Sequence, residues 1–395
     1  MAQEVARRLP VHRARQSRPL RRHLGRPVRR HLGSRHLGGR HPALSRTAAR
    51  VPGVTDPDAL EDIALPERRQ RARGHDAQRA AILNQLAEHR LPGAILLHGP
   101  QGIGKATFAF EMAAAILSAT GDEDAHRVEE QVGAMSHPNL FLLRRRPKDS
   151  KGFYTVIRVE DVRDLRDSLH HTRGRAGHRV AIIDSIDDCN PSAANALLKT
   201  LEEPPADTIF LLVSHRPGQL LPTIKSRCHN LALRPVAAGD VRAILQEHDA
   251  TLGQTELDRA IGLSGGRPRR AFETLALEPD SALGALQAWL VNPAQHPAGV
   301  ALQLADALGA DTQSPELSFA REMLDDWMAD EARNAAMQPP SRMRLASANE
   351  LWDKAHALFA EADSINLDMK QTLVAIFDAI RKHVSMTASV SSEPQ

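Results

Sequence analysis

The run Ala94-Ile-Leu-Leu-His98 is apolar and short, Gly99-Pro-Gln-Gly-Ile-Gly-Lys105 follows without a break, and residues 106–119, ATFAFEMAAAILSA, read as a helix. No other feature of the chain constrains its fold as tightly. Strand, glycine loop, lysine and helix in that order are the context of a phosphate-binding P-loop. Gly99, Gly102 and Gly104 let successive backbone N–H groups close around phosphate oxygens, the helix N-terminus adds positive potential, and Lys105 reaches the β- and γ-phosphates. A plain turn between strand and helix has no need of Gly102, Gly104 and Lys105 together. One position departs from the pattern. Where a hydroxyl would follow the lysine and ligate magnesium, the residue is Ala106. Thr107 is one residue on and about 100° further round the helix, a poor substitute.

The segments around this loop predict a parallel α/β domain. Glu67 to Arg90 reads as a helix with Ala80, Ile82, Leu83, Leu86 and Ala87 on its apolar face, broken by Pro92-Gly93. Residues 121–135 read as a linker or peripheral helix, Leu140 to Leu143 as a strand, 144–152 as a basic loop and Val156 to Val159 as extended chain. A helix starting at Glu160 or Asp161 carries Val162, Leu165 and Leu169. Val180-Ala-Ile-Ile-Asp184 is then a buried strand ending in a carboxylate. Ligands of open α/β sheets bind at the carboxyl ends of the strands, so Asp184 belongs beside the phosphate loop. Asp187 and Asp188 are expected to face solvent or cap a turn. Asn190-Pro191 caps a helix with Ala194, Leu197, Leu198 and Leu201, which stops at Pro204-Pro205. Thr208 to Val213 is a core strand ending at Ser214, and Leu231 to Leu233 is a short one.

Length and composition fit this reading. A chain of 395 residues makes two or three domains. Aromatic residues make up only 3%, which favours Leu- and Ala-rich helices over a β-sandwich or barrel. Two cysteines build neither a disulfide framework nor a four-thiolate zinc site, and no run of about 18 apolar residues offers a membrane span. The formal charge of +3 conceals a division. Residues 1–50 hold 14 Arg, no Lys and a single acid, Glu4, so residues 51–395 carry 37 basic against 47 acidic side chains, a balance of −10. The Arg/His/Leu/Gly-rich start has no helix or strand period and is expected to be disordered. Holding nucleic-acid phosphates, acting as a presequence poor in acids, and translation from upstream of the true start are the readings open for it.

Four segments carry a family resemblance: HGPQGIGKAT at 98–107, NPSAANALLKTLEEPP at 190–205, LLPTIKSRC at 220–228 and LSGGRPRRA at 263–271. With them the chain resembles the AAA+ clamp loaders of bacterial DNA polymerase III, over roughly 65–385, and their delta-prime branch more closely than gamma/tau. The resemblance implies a cytoplasmic subunit that works with gamma/tau and delta subunits to load a sliding clamp on primed DNA. It implies that Arg227, in Ser226-Arg227-Cys228, is a finger reaching ATP on a neighbouring gamma/tau subunit; a guanidinium suits this by its permanent charge and forked donors. Ser214 falls at the sensor 1 position, and Arg270 at sensor 2, with Arg269 open to a register shift of one. An active ATPase of this family has a Glu after Asp184; here it is Ser185. With Ala106, that leaves a degenerate site for ATP or ADP formed by Gly99, Gly102, Gly104, Lys105, Thr107, Asp184, Ser214 and Arg270, and the chain's own ATPase is expected to be absent or weak. Many members carry a four-cysteine zinc module between the loop and the Asp184 strand; no cysteine lies between Lys105 and Asp184, so no zinc is expected. Cys228 is read as a small buried residue seating Arg227.

The expected organisation is a disordered extension over 1–60, an α/β P-loop NTPase (AAA+) domain over 65–234, a small helical lid over 235–280, an all-α C-terminal collar over 281–386 and a disordered tail over 387–395. The lid carries Val241, Ile244 and Leu245, then Leu257, Ala260 and Ile261. The collar places Leu283, Leu286, Trp289 and Leu290, then Val300, Leu302, Leu304 and Leu308, then Phe319, Met323, Leu324 and Trp327, then Leu345, Leu351, Trp352 and Leu358 on successive helices. A last helix spans Met369 to Val384 with Leu373, Val374, Phe377 and Ile380, and the tryptophans are read as core. Arg144, Arg145, Lys148 and Lys151 make a basic patch that is either a local DNA contact or a solvated loop. The rival functions are a gamma/tau-like active ATPase and a nucleic-acid-binding module driven by the Arg-rich start.

Overall fold

The computed structural model describes residues 56–390, apart from 61, 70, 120, 149–151, 171–175, 278–280, 338–341 and 366–367. The expectations for residues 1–50, for Lys151 and for 391–395 lie outside the described residues. After a 3-10 turn at Pro66–Arg68, the α/β domain runs α1 Asp76–Ala87, β1 Ala94–His98, α2 Lys105–Ser118, α3 Ala125–Gly133, β2 Leu140–Leu143, α4 Val159–His170, β3 Arg179–Asp184, α5 Pro191–Glu202, β4 Thr208–Ser214, α6 Pro222–Lys225 and β5 His229–Ala232. The five strands form one parallel sheet in the order β2-β3-β4-β1-β5.

Alternation along the strands decides which helices cover which face. Ile95, Leu97, Val180, Ile182, Ile209, Leu211 and Val213 join the core with α2 and α3, while Leu96, Ala181, Ile183, Phe210 and Leu212 join the core with α4 and α5. Burial on both faces is why these strands read as continuous apolar runs. Helix α2 is apolar nearly all round, and Phe108, Ala109, Phe110, Met112, Ala113 and Ile116 are all buried. It runs from the phosphate loop through the middle of the domain. Asn190 caps α5 by accepting from the Ala193 N–H at 2.8 Å, with Pro191 in the first turn.

Three helices follow in the segment expected as the lid, α7 Ala238–His248, α8 Gln254–Ser264 and α9 Pro268–Leu275, with a small core of their own around Val241, Leu245, Leu257, Ala260 and Ala271. The segment expected as the collar holds α10 Ala282–Val291, α11 Ala298–Leu308, α12 Pro315–Met337, α13 Arg342–Ile365 and α14 Met369–Val390. Trp289 is fully buried against Phe377 in the largest core, and Trp327 and Trp352 pack against that core. This is an α/β parallel-sheet AAA+-like domain followed by an all-helical region.

The structure departs from the sequence reading in several places. The helix expected over Glu67–Arg90 begins only at Asp76, because the chain before it is held otherwise: the Ala72 N–H donates to Glu111 at 2.9 Å, His75 Nε2 bonds the Ile103 carbonyl at 2.9 Å, and Gly74 turns at φ 77°. The described residues between 56 and 73 instead form a strap across the phosphate loop's side of the domain. Of the extended stretch near 156–159, only Ile157 pairs, bridging Cys189, and α4 starts at Val159. Leu302 is half exposed, on the outer side of α11. The last helix does not stop at Val384 but continues to Val390.

Candidate functional site

The phosphate loop folds as its glycines require. At Gly99 (φ 152°) a Cβ would stand 2.2 Å from the Leu233 carbonyl oxygen, and at Gly102 (φ 81°) it would meet the Arg269 Cβ at 2.9 Å. Lys105 is 3% exposed, and its ammonium donates to the carbonyls of Gly99 at 2.8 Å and Pro100 at 2.6 Å. Burial lowers its pKa to about 7, against the partial restoring pull of Asp187 and Asp184. The loop, the strap and the lid enclose a cleft of about 200 Å³. Gly102, Gly104, Lys105, Thr107 and Asp184 line one side of it. Leu60, Ile63, Ile244 and Phe272 supply an apolar wall.

Asp184 stands at the end of β3, beside the loop, as its sequence position implied. It is not free: Arg144, 6% exposed at its side chain, donates to Asp184 Oδ2 at 3.1 Å and faces Glu67 at 3.6 Å and Asp56 at 3.7 Å. Burial pushes Asp184 up to about 6, with Arg144 opposing. For Arg144 itself, burial works against the charge, and the three carboxylates outweigh it, holding its pKa above the ordinary value. Arg145 pairs with Asp58 at 2.8 Å and Asp188 at 3.0 Å. Arg144 and Arg145 are therefore tied to carboxylates and do not form the exposed basic patch that their sequence positions suggested.

For Asp187, of the two expectations of facing solvent or capping a turn, the structure takes the second: it caps the turn after β4 and clasps the ends of β3 and β4. Its carboxylate accepts from the Ser214 hydroxyl at 3.0 Å, the Ser185 hydroxyl at 3.0 Å, the His215 N–H at 2.5 Å and the Arg216 N–H at 3.3 Å. Ser214 is thus fully buried with its proton committed to Asp187. His215, which the sequence reading passed over, lines the cleft; burial first and Lys105 second lower its pKa to about 4, and its Nδ1 is buried without a hydrogen-bond partner. Its place one residue past a core strand's carboxyl end was the available signal.

The two arginines at the start of α9 point in different directions. Arg270 points away from the loop: its side chain is 4% exposed, pairs with Glu322 at 2.7 Å and Asp326 at 2.9 Å on α12, and lies 4.9 Å over the Phe319 ring. Arg269 lines the cleft instead. Its backbone N–H donates to the Gly102 carbonyl at 3.2 Å, and its guanidinium contacts Glu273 at 2.8 Å and the Asp58 carbonyl. Pro268 sets the register, opening α9 so that consecutive side chains diverge by about 100°.

Arg227 is not among the residues that line the cleft. It follows α6, is one-third exposed, donates to the Thr223 carbonyl at 3.0 Å and pairs with Glu202 at the end of α5 at 2.6 Å. Cys228 beside it is buried in the sheet's core, which pushes its thiol pKa up to about 11.

A parallel sheet in this order, with the phosphate loop after β1 and Asp184 at the end of β3, defines a P-loop domain of AAA+-like type. Residues 74–237 match the family model described as DNA polymerase III, delta subunit. The DNA polymerase III subunit delta' of Pseudomonas aeruginosa is 38% identical over 183 residues, which span 45% of this chain and 54% of that one. The subunit delta' of Bacillus subtilis is 29% identical over 173 residues (43% and 50%), and subunit tau of the same organism 26% over 223 residues (55% and 38%). The chain thus spans about half the length, or less, of these curated relatives. Among solved structures, a gamma subunit-related protein from Thermotoga maritima aligns over 77% of this chain and 99% of its own, at 16% identity and a TM-score of 0.35, too loose a likeness to weigh. Residues 74–237 are homologous to the DNA polymerase III delta-prime subunits of the clamp-loader AAA+ family.

Two groups that this fold family implies fit the site unequally. A nucleotide fits: the loop N–H groups and Lys105 would hold its phosphates, and the apolar wall its base. Magnesium does not. Ala106 offers no oxygen, and the carboxylate of Asp184 is already paired with a buried guanidinium. Among the described residues, no cluster of three or more His, Cys, Asp or Glu has the geometry to hold a metal ion, and no helix is long and apolar enough to cross a membrane.

Proposed function

We propose that this chain is a delta-prime-like stator of a replicative clamp loader, which supplies Arg227 in trans to ATP held by a neighbouring gamma/tau-type subunit. The observation that carries the reading is the separation of Arg227 from the chain's own cleft. It stands one-third exposed at the end of α6, held by one partly exposed carboxylate, Glu202. An exposed ion pair is worth roughly 0–1 kcal/mol, so releasing the guanidinium to a partner's phosphate costs little. A finger of this kind stabilises charge developing on the transferred phosphoryl group. The chain's own cleft is ill equipped for that reaction: Ala106 follows the lysine, Ser185 follows Asp184, and Ser185 is bonded to Asp187. ATP or ADP bound there would be held and not turned over. Sliding clamp and primed DNA are then reached through the assembled complex, with gamma/tau and delta subunits as direct partners.

The test is reconstitution with gamma/tau, delta and clamp from one organism, measuring DNA-stimulated ATPase. The isolated chain is expected to be nearly silent, and Arg227→Ala to lower the assembled rate by about 10³-fold at each site that it serves, without dissociating the complex. Comparable ATPase by the isolated chain, abolished by Lys105→Ala and indifferent to Arg227→Ala, would sink this reading and leave an active gamma/tau-like motor in its place.

A further inference from the structure

The end of β3 is built around a fixed cation. Arg144 cannot lose its proton, its side chain is more than nine-tenths buried, and its guanidinium lies 5.9 Å from the centre of the Phe110 ring. Asp184 holds it from the sheet at 3.1 Å, and Glu67 and Asp56 hold it from the strap. A divalent ion at Asp184 would have to share that carboxylate with a guanidinium that has no solvent to retreat into. Magnesium also demands near-octahedral oxygen ligands at about 2.0–2.1 Å, and Ala106 supplies none where a hydroxyl would stand. On the cleft side, positive charge is already present without a metal: Lys105, the loop N–H groups, the α2 N-terminus and Arg269.

We propose that the cleft binds a nucleoside di- or triphosphate without a divalent cation, with Arg144 as the permanent counter-charge that fills Asp184's need for a metal. This rests on the reading of the cleft as a nucleotide site. Arg144 acts as a positioning residue: it keeps Asp184 off the ligand, and the phosphates are recognised by Lys105, the loop and Arg269.

The measurement is calorimetric titration of the full chain with ADP and ATP, in excess magnesium and in EDTA. Affinities are expected to agree within about threefold between the two conditions, and a larger loss in EDTA overturns the proposal. Ala106→Ser, which restores the missing hydroxyl, is expected to leave that agreement intact because Asp184 stays on Arg144. A magnesium requirement appearing in Ala106→Ser alone would show that the hydroxyl, and not Arg144, had excluded the metal. Arg144→Met, checked for folding by its circular dichroism, frees Asp184 and is expected to make binding depend on magnesium by about tenfold or more. Absence of nucleotide binding in every condition overturns this proposal and leaves the trans-finger reading standing, since Arg227 lies outside the cleft.

Discussion

Lys105 shows how a single buried charge makes a site responsive. Its pKa is lowered from the ordinary 10.5 to about 7 by burial. Between those values the unfolded chain holds a proton that the folded chain has shed, so this group's contribution to stability rises with pH from about 7 to 10.5 and is flat below. Lys105→Met is expected to remove that slope, read as the Tm difference between pH 7 and 9 relative to the parent. A polyphosphate in the cleft pulls the pKa back up, so nucleotide binding near pH 8 should take up as much as one proton, measurable by calorimetry in buffers of different ionisation enthalpy. The neighbouring arginines divide stability from binding. Arg270→Ala removes two ion pairs and the ring contact with Phe319, and should cost about 1–3 kcal/mol while leaving nucleotide affinity unchanged. Arg269→Ala should do the reverse, and a result with the two exchanged would restore the sequence-based register.

At the scale of elements, the sheet is held at its working end by side chains and along its length by apolar packing. Leu211 is fully buried in the middle of β4, and Leu211→Ala should cost about 2–5 kcal/mol in denaturant unfolding. Asn190→Ala, which removes the cap of α5, should cost only about 1 kcal/mol. Much of this level was legible beforehand. The strands were apolar runs, the phosphate loop announced α2, and Asn190-Pro191 announced α5. What escaped was the strap. Residues 67–75 have helical composition, yet Glu111 and Ile103, some 28–39 residues away, take up the polar groups around Ala72 and His75. Helix propensity is a weak prior beside such tertiary bonds.

For the whole molecule, charge is segregated: residues 51–395 carry −10 while residues 1–50 hold 14 Arg. Salt-sensitive retention of the isolated chain on DNA that is lost on removing residues 1–50 would favour the rival reading of the Arg-rich start as a nucleic-acid-binding module, and retention that survives the deletion would locate a DNA contact in the α/β domain. Arg267 and Arg270 bond the lid to α12 of the collar through Asp326 and Glu322, so lid and collar should respond together to changes at those residues. The order of motifs along the chain was enough to determine the fold class, the glycine loop between β1 and α2 and the placement of Asp184, because each rests on local spacing and on periodic burial. Tertiary structure alone decided that Arg144 neutralises Asp184, that Asp187 clasps two strand ends, that His215 enters the cleft and that Arg269 replaces Arg270 there. Those four outcomes depend on which side chains distant strands, strap and lid bring within 4 Å of one another, and no local spacing along the chain encodes that distance.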